Sequence, residues 1–188
     1  IIKVSAPLGM EPYARMISSI MAKNYAMGIN HCLIDIPVWP TAKVSTQADA
    51  ERIAQHFKNI GEYLDIKTQV ILTKAEQPIG NGIGAVLQVR EVLRVLQQHK
   101  LRPHDLEQKA LELAAHIVVL CGLCETYEQA LEKVSLQLTS WAAREKMQEI
   151  ISSQEGKNPK IWSEELELAP NTMEITAKNS GTISVIDM

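Results

Sequence analysis

The sequence predicts an α/β protein in which helices pack on a mixed sheet, and three observations carry that expectation. Short β-branched runs of strand length alternate with longer stretches of helical periodicity through the first half of the chain. Helical periodicity then dominates the second half. At 188 residues and 46% hydrophobic content, the chain can bury one substantial core.

The elements follow in order. Pro12 stands at a first helical position, where a missing N–H costs nothing, and opens an apolar-periodic helix through Ala26 that closes at Gly28. Cys32 to Ile36 reads as a strand. Thr46 to Leu64 is a helix with Thr46 and Asp49 near its start, and Thr68 to Leu72 is β-branched and apolar, as a buried strand should be. A turn holding Gly80, Gly82 and Gly84 then leads into a helix whose Val86, Val89, Leu93 and Leu96 share one face. Pro103 and Asp105 begin a further helix, with the stripe Leu106, Ala110, Leu113, Ala114, Ile117 and Val118, which ends at Gly122. Two shorter helices are expected from Thr126 to Leu138 and from Ser140 to Ser152. After a polar connector from Gln154 to Pro159, the runs Glu174 to Ala177 and Thr182 to Ile186 read as short strands around an Asn179-Ser180-Gly181 turn, the start of a β-rich region.

Composition narrows the functional classes. A net charge of −3 with mixed rather than blocked charges gives no electrostatic case for nucleic acid or an anionic membrane. Nothing approaches 18 consecutive apolar residues, so no membrane span is expected. Three cysteines suit a reducing cytoplasm better than a disulfide framework. Cys121-Gly122-Leu123-Cys124 has CxxC form, but no second pair accompanies it, so it reads as a helix terminus with a structural thiol and no metal site is expected. The five histidines show no ligand spacing.

The glycine turn is the sharpest local feature, since it sets backbone rather than side chain against its surroundings. Free N–H groups in such a turn can hold an anion, but the three glycines do not make the GxGxxG spacing and no GK(S/T) follows. Tight packing of helix on sheet is the favoured reading.

Its wording is more specific than its spacing. The block TKAEQPIGNGIGAVLQVREVLRVL, from Thr73 to Leu96, resembles a segment of the type II nucleoside phosphorylases, the family of thymidine and pyrimidine-nucleoside phosphorylases with an AMP phosphorylase branch. SIMAKNYAMG, from Ser19 to Gly28, resembles a helix of that family, and IDIPVWPTAKV, from Ile34 to Val44, resembles a loop of its AMP phosphorylase branch. Three matches in order support one another. Members of the family are much longer, with a helical region and phosphate-binding segments ahead of the matched part, so the chain is expected to be an internal fragment. The resemblance implies that residues 1–28 belong to a small N-terminal helical domain, 29–155 to the α/β catalytic domain and 156–188 to the start of a C-terminal β-rich domain.

The same resemblance assigns candidate residues. Ser19 and Lys23 are four apart, one turn along a single helix face, and offer a hydroxyl and an ammonium to one ligand. In the family the matching pair contacts the nucleobase. Glu11 lies where the family has an aspartate assigned as proton donor, although a carboxylate at a helix start is also favoured by the helix dipole. Lys43 matches a lysine that contacts the nucleotide in the AMP phosphorylase branch. Asp35, at the carboxyl end of a strand, sits where α/β sheets put ligands, or else caps the following turn. Two departures stand out: Asn24 replaces a second lysine, and Trp39 replaces a glycine.

The implied activity is that of a thymidine phosphorylase-like pentosyltransferase, in which inorganic phosphate is a co-substrate and no cofactor is required. It would convert a pyrimidine nucleoside or deoxynucleoside to free base and the pentose 1-phosphate. The alternatives are an AMP phosphorylase releasing adenine and ribose 1,5-bisphosphate, or a diverged, non-catalytic assembly module. A cytoplasmic homo-oligomer, such as a dimer, is expected, and the fragment alone is expected to be inactive.

Overall fold

The computed structural model describes residues 12–184 and residue 186. Among them it is an α/β structure of six α-helices, one two-stranded sheet and a short 3-10 turn. The helices are α1 (Pro12–Ala26), α2 (Gln47–Tyr63), α3 (Ala85–Leu96), α4 (His104–Leu120), α5 (Tyr127–Thr139) and α6 (Ala142–Ser153). The strands β1 (His31–Val38) and β2 (Lys67–Lys74) pair in parallel, with Ile34 opposite Val70 and Ile36 opposite Leu72. Parallel pairing follows from the β1–α2–β2 crossover. The described sheet is thus purely parallel rather than mixed.

The described residues divide into two compact units, one of residues 12–76 and 120–123 and the other of Gln77–Val119 and Cys124–Ile186. The first is built around α1, β1, α2 and β2. Ile17 and Met21 of α1 are one turn apart, and they meet Cys32 and Ile36 of β1 and Ala50, Ile53 and Phe57 of α2 in a single apolar cluster. Local chemistry sets the ends of these elements. The Thr46 hydroxyl caps α2 by accepting from the Asp49 N–H at 3.1 Å, and Gly28, at φ 70°, turns the chain out of α1 with its N–H donating to the Tyr25 carbonyl. β2 is half-buried rather than fully buried, because each end residue of this strand is exposed and its interior residues are only partly covered.

In the second unit, Gln97 is buried and clamps the segment after α6. Its amide donates to the Ile161 carbonyl and accepts from the Ser163 N–H, both at 3.0 Å. Arg94 adds an ion pair to Glu164 at 2.7 Å. Arg144 lies over both the Trp141 and Trp162 rings, 4.7 and 4.3 Å from their centres, while the two rings meet edge to face.

Three expectations need correction. Val86 and Val89 are exposed and Leu93 is buried, so the apolar face of α3 does not enter the core as a whole. A second helix does not begin at Ser140: that residue caps α5, Trp141 takes a left-handed φ of 72°, and α6 begins at Ala142. Residues 174–177, and those described in 182–186, form no strand. Alternation in sequence marks a strand only where a neighbour accepts its hydrogen bonds, and none of the described residues does so there.

Candidate functional site

Ser19 and Lys23 lie on the exposed side of α1, about 200° around the helix from the buried pair Ile17 and Met21. Their spacing puts both on one face, and their side chains have no hydrogen-bond or ion-pair partner among the described residues. Lys23 also stands in the last turn of α1, where a cation complements the negative end of the helix dipole. The pair therefore offers a donor and a cation away from the core. Asn24, on the next position around, turns inward instead: its amide donates to the buried Cys32 sulfur at 3.4 Å and ties α1 to β1. Burial pushes the Cys32 thiol up, which keeps it neutral.

Lys43 is exposed on the loop that follows β1. That loop is closed by its own backbone, with the Trp39 N–H donating to the Val44 carbonyl at 3.2 Å and the Ala42 N–H donating to the Trp39 carbonyl at 2.9 Å. Val38 and Val44 form a parallel bridge across its base. The Tyr13 hydroxyl, at the start of α1, reaches the Lys43 carbonyl at 3.4 Å. Tyr13 and Lys23 are ten residues apart, which is about 15 Å along a helix axis, so Lys43 adjoins the opposite end of α1 from Lys23. Trp39 has no left-handed φ, so the position that holds glycine in the family's loop places no demand for glycine here.

Asp35 is engaged within the sheet. It accepts from the Thr73 hydroxyl on β2 at 2.7 Å, a bond between the two strands. Glu11 lies outside the described residues. A cavity of about 170 Å³ between α1 and α2 is lined by Tyr13, Ile17, Arg52, Ile53 and His56, among others, and Ser19 and Lys23 do not line it.

The glycine turn is occupied by the protein's own carboxylates. Asp105 accepts from the Gly80 N–H at 2.8 Å, and both oxygens of the buried Glu91 accept from the Asn81 N–H, at 3.0 and 3.1 Å. Gly80 takes a left-handed φ of 71°, and a Cβ there would stand 2.3 Å from a Glu91 oxygen and displace that carboxylate. Two successive amides that could have held an anion hold Asp105 and Glu91 instead. Sequence reasoning missed both carboxylates. Glu91 lies on the side of α3 away from Val86, Val89, Leu93 and Leu96, so periodicity carried no signal for its burial.

Cys121 is exposed and Cys124 half-exposed, so neither is the packed structural thiol expected at that helix end. His116 packs on Tyr127, with ring centres 4.8 Å apart. Among the described residues no group of three or more His, Cys, Asp or Glu side chains is placed to hold a metal ion, and no helix is long and apolar enough to cross a membrane.

No protein-family model matches the chain. Individual proteins do. A protein of Rhodopseudomonas palustris named "putative thymidine phosphorylase" is 39% identical over the whole of this chain, which spans 35% of that protein. One of the same name from Bradyrhizobium diazoefficiens is 40% identical with the same coverage. A protein of Thermofilum pendens named "AMP phosphorylase" is 37% identical, again over the whole chain and 35% of its own length. The chain thus spans about a third of the relatives it matches. The order of the three sequence blocks and this unbroken similarity agree, and the chain belongs to the type II nucleoside phosphorylase family, among the proteins named for thymidine and AMP phosphorolysis.

Proposed function

We propose that the protein containing this chain is a pentosyltransferase that phosphorolyses a pyrimidine nucleoside, with thymidine the type substrate. The observation that carries the reading is the similarity over the whole chain, at 39–40% identity, to proteins named "putative thymidine phosphorylase". An oxygen of inorganic phosphate attacks the anomeric carbon, the bond from that carbon to the base nitrogen breaks, and its electron pair leaves on the base. No covalent enzyme intermediate and no cofactor are needed. Lys23 stabilises the charge developing on the departing base, Ser19 donates a hydrogen bond to it, and Glu11 supplies the proton that neutralises it. Lys43 holds substrate from the loop after β1. The outward-facing Ser19–Lys23 pair, without a partner among the described residues, supports this assignment.

AMP is the second substrate reading, favoured by the relatives named "AMP phosphorylase" and by Lys43, a point charge suited to a nucleotide phosphate. A cytoplasmic homo-oligomer, without nucleic-acid or membrane partners, belongs to the same proposal. So does the assignment of residues 1–28, 29–155 and 156–188 to helical, catalytic and β-rich domains.

The test is release of free base from thymidine, uridine and AMP by the full-length protein, with and without phosphate. Release that requires phosphate is expected, with the isolated 188-residue chain inactive. Lys23→Ala should lower kcat/KM by about 100-fold, comparable to losing one preorganised charge-stabilising donor. Base release that ignores phosphate, or an unchanged Lys23→Ala variant, overturns the assignment; inactivity on all three substrates leaves the assembly-module reading in its place.

A further inference from the structure

The inward stripe of α1 ends on a polar side chain. Ile17, Met21 and Asn24 follow one another at spacings of four and three, so they share one side of the helix, and the first two are buried in the apolar cluster. At the third position an amide stands where the pattern calls for an apolar residue. Cys32 of β1 supplies its partner, the sulfur accepting from the Asn24 amide at 3.4 Å.

Little else holds the last turn of α1 to the sheet. Among the described residues, none of α1 beyond Met21 joins the apolar cluster, and Ala22, Lys23, Tyr25 and Ala26 are all exposed. Asn24 is bonded at both its ends. Its side chain reaches β1, and its carbonyl accepts from the N–H of Ile29, a residue that packs against the cluster, at 3.4 Å. Lys23 is its neighbour on this turn, and a lysine stem places its ammonium only as accurately as the backbone beneath it is placed. A thiol is a weak acceptor, so this bond acts on placement more than on stability.

We infer that Asn24 is a positioning residue: its bond to Cys32 fixes the last turn of α1 against β1 and so sets the Lys23 ammonium for the departing base. This rests on the nucleoside reading above and deepens it, since it gives a task to a position at which the chain departs from its family, an inward amide in place of a second lysine.

Steady-state phosphorolysis of thymidine by the full-length protein, compared for the unaltered protein, Asn24→Ala, Cys32→Ala, Lys23→Ala and the Asn24→Ala/Lys23→Ala double variant, tests it. Misplacing a charge-stabilising group predicts a kcat/KM for thymidine about tenfold lower in Asn24→Ala, with the KM for phosphate unchanged. Cys32→Ala should share the loss, because it removes the acceptor. The double variant should be no worse than Lys23→Ala alone, since no ammonium is then left to place. Asn24→Ala equal to the unaltered protein overturns the positioning role. So does a loss that Cys32→Ala does not share, or one repeated in full on top of Lys23→Ala, since Asn24 would then be serving the fold alone. If Lys23→Ala matches the unaltered protein, or the unaltered protein has no phosphorolytic activity, the reading above has failed and the positioning role falls with it; a failure at Asn24 alone leaves the Lys23 effect in place.

Discussion

Gly61 illustrates how much one residue decides in this fold. It is buried in α2, and a Cβ there would meet the Thr68 hydroxyl oxygen at 2.3 Å and the Ile66 carbonyl oxygen at 2.9 Å. The helix approaches β2 closely only because that atom is absent. Alanine is the better helix former by about 1 kcal/mol, but forcing a methyl into a packed contact costs about 1–3 kcal/mol and displaces backbone. Gly61→Ala should therefore lower stability, by up to about 2 kcal/mol, in a denaturant titration, and an equal or higher midpoint would contradict this contact. Position 61 carries no sign of this in the sequence, where a helical glycine reads only as a weak propensity defect. The Ser19–Lys23 spacing was legible, because a helix fixes which residues share a face. That Asn24 faces Cys32 instead was not, since the inward side depends on what β1 brings against it.

At the scale of elements, the helix ends were the most legible features. Thr46 and Thr126 cap α2 and α5 through bonds to amides three residues on, a pattern contained in a few consecutive letters. The strands after residue 170 were misread because pairing is not local. The glycine turn was read as packing of helix on sheet; its amides are held by Glu91 and Asp105, which lie ten and twenty-five residues from the N–H groups they accept from. Glu91→Ala would strand the Asn81 N–H. We expect faster hydrogen exchange at Asn81 and a loss of about 1–3 kcal/mol, with Glu91→Gln milder because it keeps an acceptor; unchanged exchange at Asn81 would remove Glu91 from this role. The clamp at the end of α3 is pH-sensitive. Its hydrogen bond with Arg94 holds the Glu164 carboxyl below its ordinary value of 4.5, so the stabilisation it gives is present above that value and is lost as pH falls through the lower, folded-state value. Acid titration followed by Trp162 fluorescence should show the 161–165 segment loosening below about pH 4.5 in the unaltered protein and no such step in Glu164→Gln.

For the whole molecule, the α/β class followed from alternation of period and the family followed from three short blocks in order. The complete site did not, because its assigned parts rest on different grounds. Ser19 and Lys23 stand outward on α1, Lys43 sits on a closed loop by the other end of that helix, and Glu11 lies outside the described residues. Exposed apolar side chains such as Ile83, Val86 and Val89 show that periodicity reported a face without reporting what it meets. The central claim concerns bond-making to phosphate, and phosphorus NMR observes that bond directly. Incubation of the full-length protein with thymidine and inorganic phosphate should produce a new phosphate-monoester resonance equal in amount to the thymine released. Thymine released while the inorganic phosphate signal stays constant would mean that water is the nucleophile, and would contradict the account.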